Sequence, residues 1–201
     1  GKIGIIDFLF GTKWESTASE PSFGILPFIL TSVYGTFGAV IIGVPLGLLC
    51  AIFIAKMAND KVAKTVRTAV DLLSGIPSVV YGLVCMIIIV PFVRETFNLP
   101  DGENLFSAVI VLTVMILPSV VSISETAIRA VPVEYEEASL ALGATKTETV
   151  FKVVVPAAKS GILTSVVLGI GRSIGEAMAV MMVAGNVANM PSLFKSVRFL
   201  T

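Results

Sequence analysis

LPFILTSVYGTFGAVIIGVPLGLLCAIFIA, residues 26–55, runs for thirty residues without a charge. About 20 apolar residues in a helix cross a ~30 Å hydrocarbon core, so this run is long enough to span a bilayer with tilt. Pro27, Pro45 and several glycines interrupt it without adding a charged group. Three further apolar runs follow at about 72–93, 105–124 and 160–185, giving four expected spans. The second carries Asp71 at its edge and a Gly75-Ile76-Pro77 break, which predicts a bent or partly re-entrant start. Pro118 in the third is tolerated because neighbouring helices in lipid satisfy the carbonyl it frees.

Composition agrees with lipid as the solvent. The 201 residues are 55% hydrophobic and only 14% charged, about half the charged fraction of soluble domains, with a mean hydropathy of +0.95. Histidine is absent, and Cys50 and Cys85 each lie inside an apolar run. His-based catalysis, His-containing metal sites and Cys clusters are therefore excluded, and the two cysteines read as small core hydrophobes. Fourteen basic residues balance fourteen acidic ones, so no nucleic-acid partner is indicated. No cofactor is called for.

Lys and Arg are retained on the cytoplasmic side of membrane spans. The connection 56–71 holds Lys56, Lys61, Lys64 and Arg67, and 125–159 holds Arg129, Lys146, Lys152 and Lys159, which places both inside. The connection 94–104, with Arg94 against Glu95, Asp101 and Glu103, falls outside, as does the leading segment 1–25 with Trp14 near the headgroups. The run Ile3 to Phe10 is too short to span. Gly43 with Gly47, and Gly171 with Gly175, repeat at the spacing that lets helix backbones approach closely in lipid.

The polar stretch 130–158 is patterned. Pro132 opens a helix of about 132–142, Glu134, Glu136 and Glu137 complement its positive end, and Gly143 stands where a C-terminal cap belongs. Tyr135, Ala138 and Leu142 make one apolar stripe on it. Thr145 followed by Glu148 forms a capping box that opens a second helix, stopping near Pro156. The first helix has three glutamates and no basic residue, unlike a Lys-rich membrane-surface helix, so its stripe calls for a protein partner.

Glu137-Ala138-Ser139, three residues, Gly143, nine residues, then Val153-Val154-Val155-Pro156 is similar to the EAA signature of ABC importer permeases, Glu-Ala-Ala, Gly and a terminal Ile-x-Leu-Pro. The departures are Ser139 for the last Ala, Val153 for Ile and Val155 for Leu. The resemblance implies that this elbow docks on a dimer of ATP-binding subunits. Glu136 and Glu137 would then face basic groups of the ATPase, Ala138 would permit close approach, Ser139 would sit at the docking contact and Gly143 would make the turn. The fold implied is all-α, a polytopic transmembrane helical bundle of the type I importer permease kind. The usual six spans of that family would add one before Gly1 and one after Thr201.

The last run, otherwise apolar from Gly161 to Gly185, holds Arg172 and Glu176 four residues apart. Each costs ~2.5–3.5 kcal/mol at the centre of an inserted helix, so something must offset the burial. On one helical face the two can pair with each other, or Arg172 can grip an anion bidentately from a polar pathway. The segments 71–82 and 169–180 resemble phosphate-uptake permeases within the ABC class, and Met190-Pro191 with Ser196-Val197-Arg198-Phe199-Leu200-Thr201 resembles the PstC type more than the PstA type. This implies that Arg172 and Glu176 line the phosphate pathway; Asp71 and Glu125 lie at span edges, where a charge is more often interfacial than a ligand. It also implies three partners besides membrane lipid: the ATP-binding subunits, a second, PstA-like permease, and a periplasmic or extracellular phosphate-binding protein. The chain would hydrolyse nothing itself. A permease for sulfate or molybdate is an alternative, as is an ion-coupled carrier using Glu176 and Arg172 as a proton relay, although a carrier leaves the acidic elbow without a purpose. A structural scaffold leaves the buried charges unexplained.

Overall fold

The computed structural model describes residues 4–15 and 22–200. The Ile3–Phe10 run becomes α1 (Ile5–Phe10), a short exposed helix, its first residue lying outside the described segments. Two short antiparallel strands, β1 (Trp14–Glu15) and β2 (Ser22–Phe23), set Trp14 against Phe23 and Phe28, each pair of ring centroids 5.5 Å apart.

The charge-free run forms α2 (Leu26–Ile52), extended by a π-helical turn over Phe53–Met57. Asn59 then caps α3 (Asp60–Ser74), its side chain accepting from the Val62 N–H at 2.9 Å. Gly75 to Pro77 break the chain, because Pro77 has no N–H to continue the ladder. The next helices are α4 (Ser78–Thr96) and α5 (Leu105–Arg129). The polar stretch contributes α6 (Val133–Ala141), α7 (Lys146–Thr149), a second π-helical turn over Val150–Val154, and the short α8 (Val155–Ala157). Two helices close the described chain, α9 (Lys159–Ile174) and α10 (Met178–Val183).

Three of these segments are long and apolar enough to cross a membrane: Leu26–Met57, Ser78–Thr96 and Leu105–Arg129. Lys146–Ala157 with Lys159–Ile174, bent by 68°, makes a fourth if the pair is one span. The expected second span begins at Ser78 rather than at residue 72, because residues 60–74 belong to a separate amphipathic helix. The expected fourth, 160–185, is not continuous: α9 ends at Ile174 and α10 begins at Met178.

The chain divides into two compact units. In the first, residues 1–39, 77–115 and 173–201, α10 packs along α4. A Cβ on Gly82 would stand 2.8 Å from the Ala179 Cα, so only glycine fits this approach unstrained. Gly38 faces Val109 across α2 and α5 in the same way. The chain after α10 is held by backbone bonds, Val197 N–H to the Ala184 carbonyl at 2.8 Å and Phe106 N–H to Leu193 at 2.9 Å. Phe97, Phe106 and Phe194 cluster with centroids 4.8–5.9 Å apart.

In the second unit, residues 40–76 and 116–172, Ala51, Ile52, Ile54, Ala63, Val121, Ile128, Val131, Val150, Val154 and Ala158 form one core. Ile54 and Val150 with Val154 come from the two π-helical turns, which therefore meet in this core. Ala63, with Val66 and Val70 beside it, turns one stripe of α3 onto the same cluster. Gly47 lies against Val120, as the small-residue spacing predicts, whereas nothing stands within 4 Å of a Cβ placed on Gly171. Cys85 is buried, Cys50 half-buried, and both are free thiols.

Candidate functional site

The elbow is built as its sequence signals indicate. Gly143 takes φ +86°, a left-handed turn that glycine adopts without Cβ strain. Ala144 N–H reaches back to the Ser139 carbonyl at 3.3 Å and Gly143 N–H to Leu140 at 2.9 Å, the paired bonds of a Schellman cap. Two residues on, Thr145 and Glu148 exchange the reciprocal bonds of a capping box. The Thr145 backbone N–H, then Lys152 and the Thr145 hydroxyl, lower the Glu148 carboxyl from 4.5 to about 2. Such a depressed group stabilises the elbow at pH above its ordinary value and loses that contribution as pH falls from 4.5 towards 2. A carboxyl-carbon NMR titration of the intact protein should find Glu148 still charged at about pH 3. Thr145→Ala removes the hydroxyl but keeps the backbone N–H, so it should raise the midpoint only part of the way towards 4.5, and an unchanged midpoint would show that the hydroxyl does not contribute.

Each residue assigned to docking has a distinct setting. Glu136 does not face outward: it pairs with Lys56 in the first π-helical turn, both side chains being largely buried. Glu137 and Ala138 are exposed on α6. Ser139, the departure from the signature, bonds its hydroxyl to that of the buried Thr149 at 2.9 Å and so clasps α6 to α7. The apolar side chains of α6 and its C-cap remain uncovered, Val133 and Tyr135 more than half exposed and Leu142 90% exposed. No residue of α6 is buried, so the helix stands on the elbow with its apolar stripe unpartnered.

Arg172 and Glu176 do not share a helical face. Arg172 sits in the last turn of α9, partly buried, with no hydrogen bond or ion pair inside its own unit among the described residues. Glu176 lies beyond the end of that helix, and its carboxylate accepts from the Ala179 N–H at 3.0 Å, capping the start of α10. The helical i, i+4 pairing fails because the chain leaves helical geometry after Ile174. Gly175, directly before Glu176, was the available signal for that break.

Sequence reasoning missed a second polar cluster. Glu125, only 5% exposed on α5, accepts from both Arg67 of α3 and Arg129 one turn further along α5. Arg67 Nε lies 3.3 Å and Arg129 Nε 2.8 Å from its oxygens, and Arg129 also donates to the Ile54 carbonyl at 3.0 Å. These groups, with Asp71, Ser122 and Thr126, line a cleft of about 300 Å³. An acid four residues before an arginine at the end of an apolar run was visible in the sequence; its partner 58 residues away was not.

Three apolar helices, or four if the bent pair is one span, together with a helical elbow whose apolar stripe is uncovered, have the make-up of a membrane-embedded chain. Residues 43–198 match the model of the binding-protein-dependent transport system inner membrane component, and the chain belongs to that family of ABC transporter permeases, multi-pass proteins of the inner membrane. It is 44% identical over 186 residues to the probable ABC transporter permease protein YqgH of Bacillus subtilis, an alignment covering 92% of this chain and 60% of that one. It is 33% identical to the phosphate transport system permease protein PstC of Pasteurella multocida, covering 93% and 64% respectively. The chain thus spans under two thirds of the length of these relatives. PstC proteins of Mycobacterium tuberculosis and Haemophilus influenzae are similar at 31% and 32% identity, which supports the PstC-type resemblance. Among solved structures, the MetNI methionine ABC transporter in inward-facing conformations superposes with a TM-score of 0.60 at 25% identity, over 84% of this chain and 74% of that one. Members of this family are inner membrane components of transport systems.

Proposed function

We propose that this chain is the permease subunit of an ATP-driven, binding-protein-dependent phosphate importer. The observation that carries the reading is the elbow: a short helix with its apolar stripe uncovered, closed at its C-terminal end by a Schellman turn, has the form of a part that another protein grips. On this reading a dimer of ATP-binding subunits seats on α6 from the cytoplasm, with Glu137 rather than Glu136 offering the free carboxylate. A PstA-like permease completes the pathway, and a phosphate-binding protein delivers substrate from outside. ATP closes the ATPase dimer, and its differential contact with the elbow shifts the spans between outward and inward access. Arg172, without a partner in its own unit, offers its guanidinium to the passing anion; such a fork matches a tetrahedral oxyanion in geometry and charge. Phosphate rather than sulfate or molybdate is favoured by the PstC-type relatives.

The test is uptake by proteoliposomes holding this chain at its full natural length with its sister permease, ATP-binding subunits and binding protein. Labelled phosphate should enter only with ATP inside the ATPase-bearing compartment, and excess sulfate or molybdate should not compete. Competition by either would move the substrate to another oxyanion. Uptake without the ATP-binding subunits would replace the importer by an ion-coupled carrier.

A further inference from the structure

Between the elbow and α3, within one unit, run two sets of polar contacts linked by the backbone of the first π-helical turn. Glu136 of α6 pairs with Lys56 in the first π-helical turn. Two residues earlier in that turn, the Ile54 carbonyl accepts from Arg129, which also binds Glu125. Glu125 in turn holds Arg67 of α3 through two contacts. A buried carboxylate gripped by two guanidinium groups fixes both of their positions, because any displacement leaves its charge uncompensated away from water. A π-helical turn is a natural place for such anchors, since its widened ladder leaves carbonyls free to accept side-chain donors. Hydrophobic contact alone would let α3 slide on the small side chains of Ala63, Val66 and Val70; the ion pairs fix its register.

We infer that Glu125 and Lys56 are positioning residues that make α3, the first π-helical turn and the elbow move as one body. This rests on the reading of the elbow as the part driven by the ATPase. Force applied to α6 then reaches α3 through Lys56, the Ile54 carbonyl, Arg129 and Glu125, without passing through the exposed side of the elbow.

The assembled transporter provides the test, with Cys50 and Cys85 replaced by serine and alanine and spin labels introduced through Thr68→Cys on α3 and Glu134→Cys on α6, both exposed positions. Electron spin resonance distances are measured without nucleotide and with ATP trapped. The parent protein should keep one narrow distance in both states, whereas Glu125→Gln and Lys56→Glu should each shift or broaden it on ATP trapping. Adding Glu136→Lys to Lys56→Glu should restore the narrow distribution, a rescue that loss of packing would not show. A parent distance that changes with nucleotide overturns the inference, as does a narrow distance in both states for both single variants. Should Glu125→Gln fail to assemble, the Lys56 and Glu136 exchange decides the matter. The readout does not depend on which substrate crosses, so failure of phosphate uptake would remove the functional reading above and leave this one to stand or fall on the distances.

Discussion

ATP-driven phosphate uptake is expected to fall roughly a hundredfold when Arg172 is replaced by alanine, since two charge-assisted hydrogen bonds to an anion contribute up to ~3 kcal/mol and each 1.4 kcal/mol is a factor of ten. The premise is structural: Arg172 lies partly buried in the last turn of α9, and inside its unit no carboxylate or carbonyl among the described residues occupies its donors. A guanidinium held in an apolar setting without a partner is costly unless it serves a ligand. Its place in the last helical turn, near the negative end of the dipole, lowers that cost without using its fork. Arg172→Lys keeps the charge but loses the planar pair of donors, and should fall between the parent and alanine. Uptake by reconstituted vesicles, normalised to the amount of complex and to ATP hydrolysis, measures the effect. Uptake equal to the parent would remove Arg172 from the pathway.

Substituting valine for Gly82 should destabilise the first unit by about 1–3 kcal/mol, the usual cost of forcing extra carbon into a filled contact. For a chain of this size that corresponds to a fall in Tm of several degrees, at about 2–4 °C per kcal/mol. The first added carbon would already meet the Ala179 Cα at 2.8 Å and the Met182 Sδ at 2.9 Å, and the former is backbone that cannot rotate away. Gly171→Ala is the matched control: it lies within α9 with open space around it, so the substitution should leave Tm unchanged or raise it, by up to about 1 kcal/mol of helix propensity. Thermal unfolding of the detergent-solubilised protein distinguishes the two. Equal responses would overturn the close approach of α10 to α4.

Where hydrophobicity alone sets an element, the sequence could be read directly. Residues 26–55 and 105–124 become helices because charge-free chain in lipid has no other way to satisfy its backbone. The elbow was equally legible, since Pro132, Gly143, Thr145 and Glu148 act through contacts no more than a few residues apart. By contrast, the sequence reads α3 only as part of a basic connection: its three cations draw attention from Ala63, Val66 and Val70, whose spacing carries the helical signal. The break after Ile174 was hidden because the flanking residues stay apolar on both sides of it. Partnerships across 58 and 80 residues, such as Arg67 with Glu125 and Lys56 with Glu136, follow from tertiary packing that no local pattern encodes. For that reason Glu136 was assigned to an external partner when the fold turns it inward.

The π-helical turn at Phe53–Met57 holds one more residue than an α-helical turn of the same height would. Deleting a single residue there would restore ordinary winding, and because the wide turn already absorbs the extra residue, the chain on either side would keep its angular phase. The change would be confined to the turn itself, which would lose the lysine it aims at the glutamate and the carbonyl it offers to the arginine. A chain shortened by one residue at this point should therefore insert normally, keep its apolar seats and part only with these polar anchors.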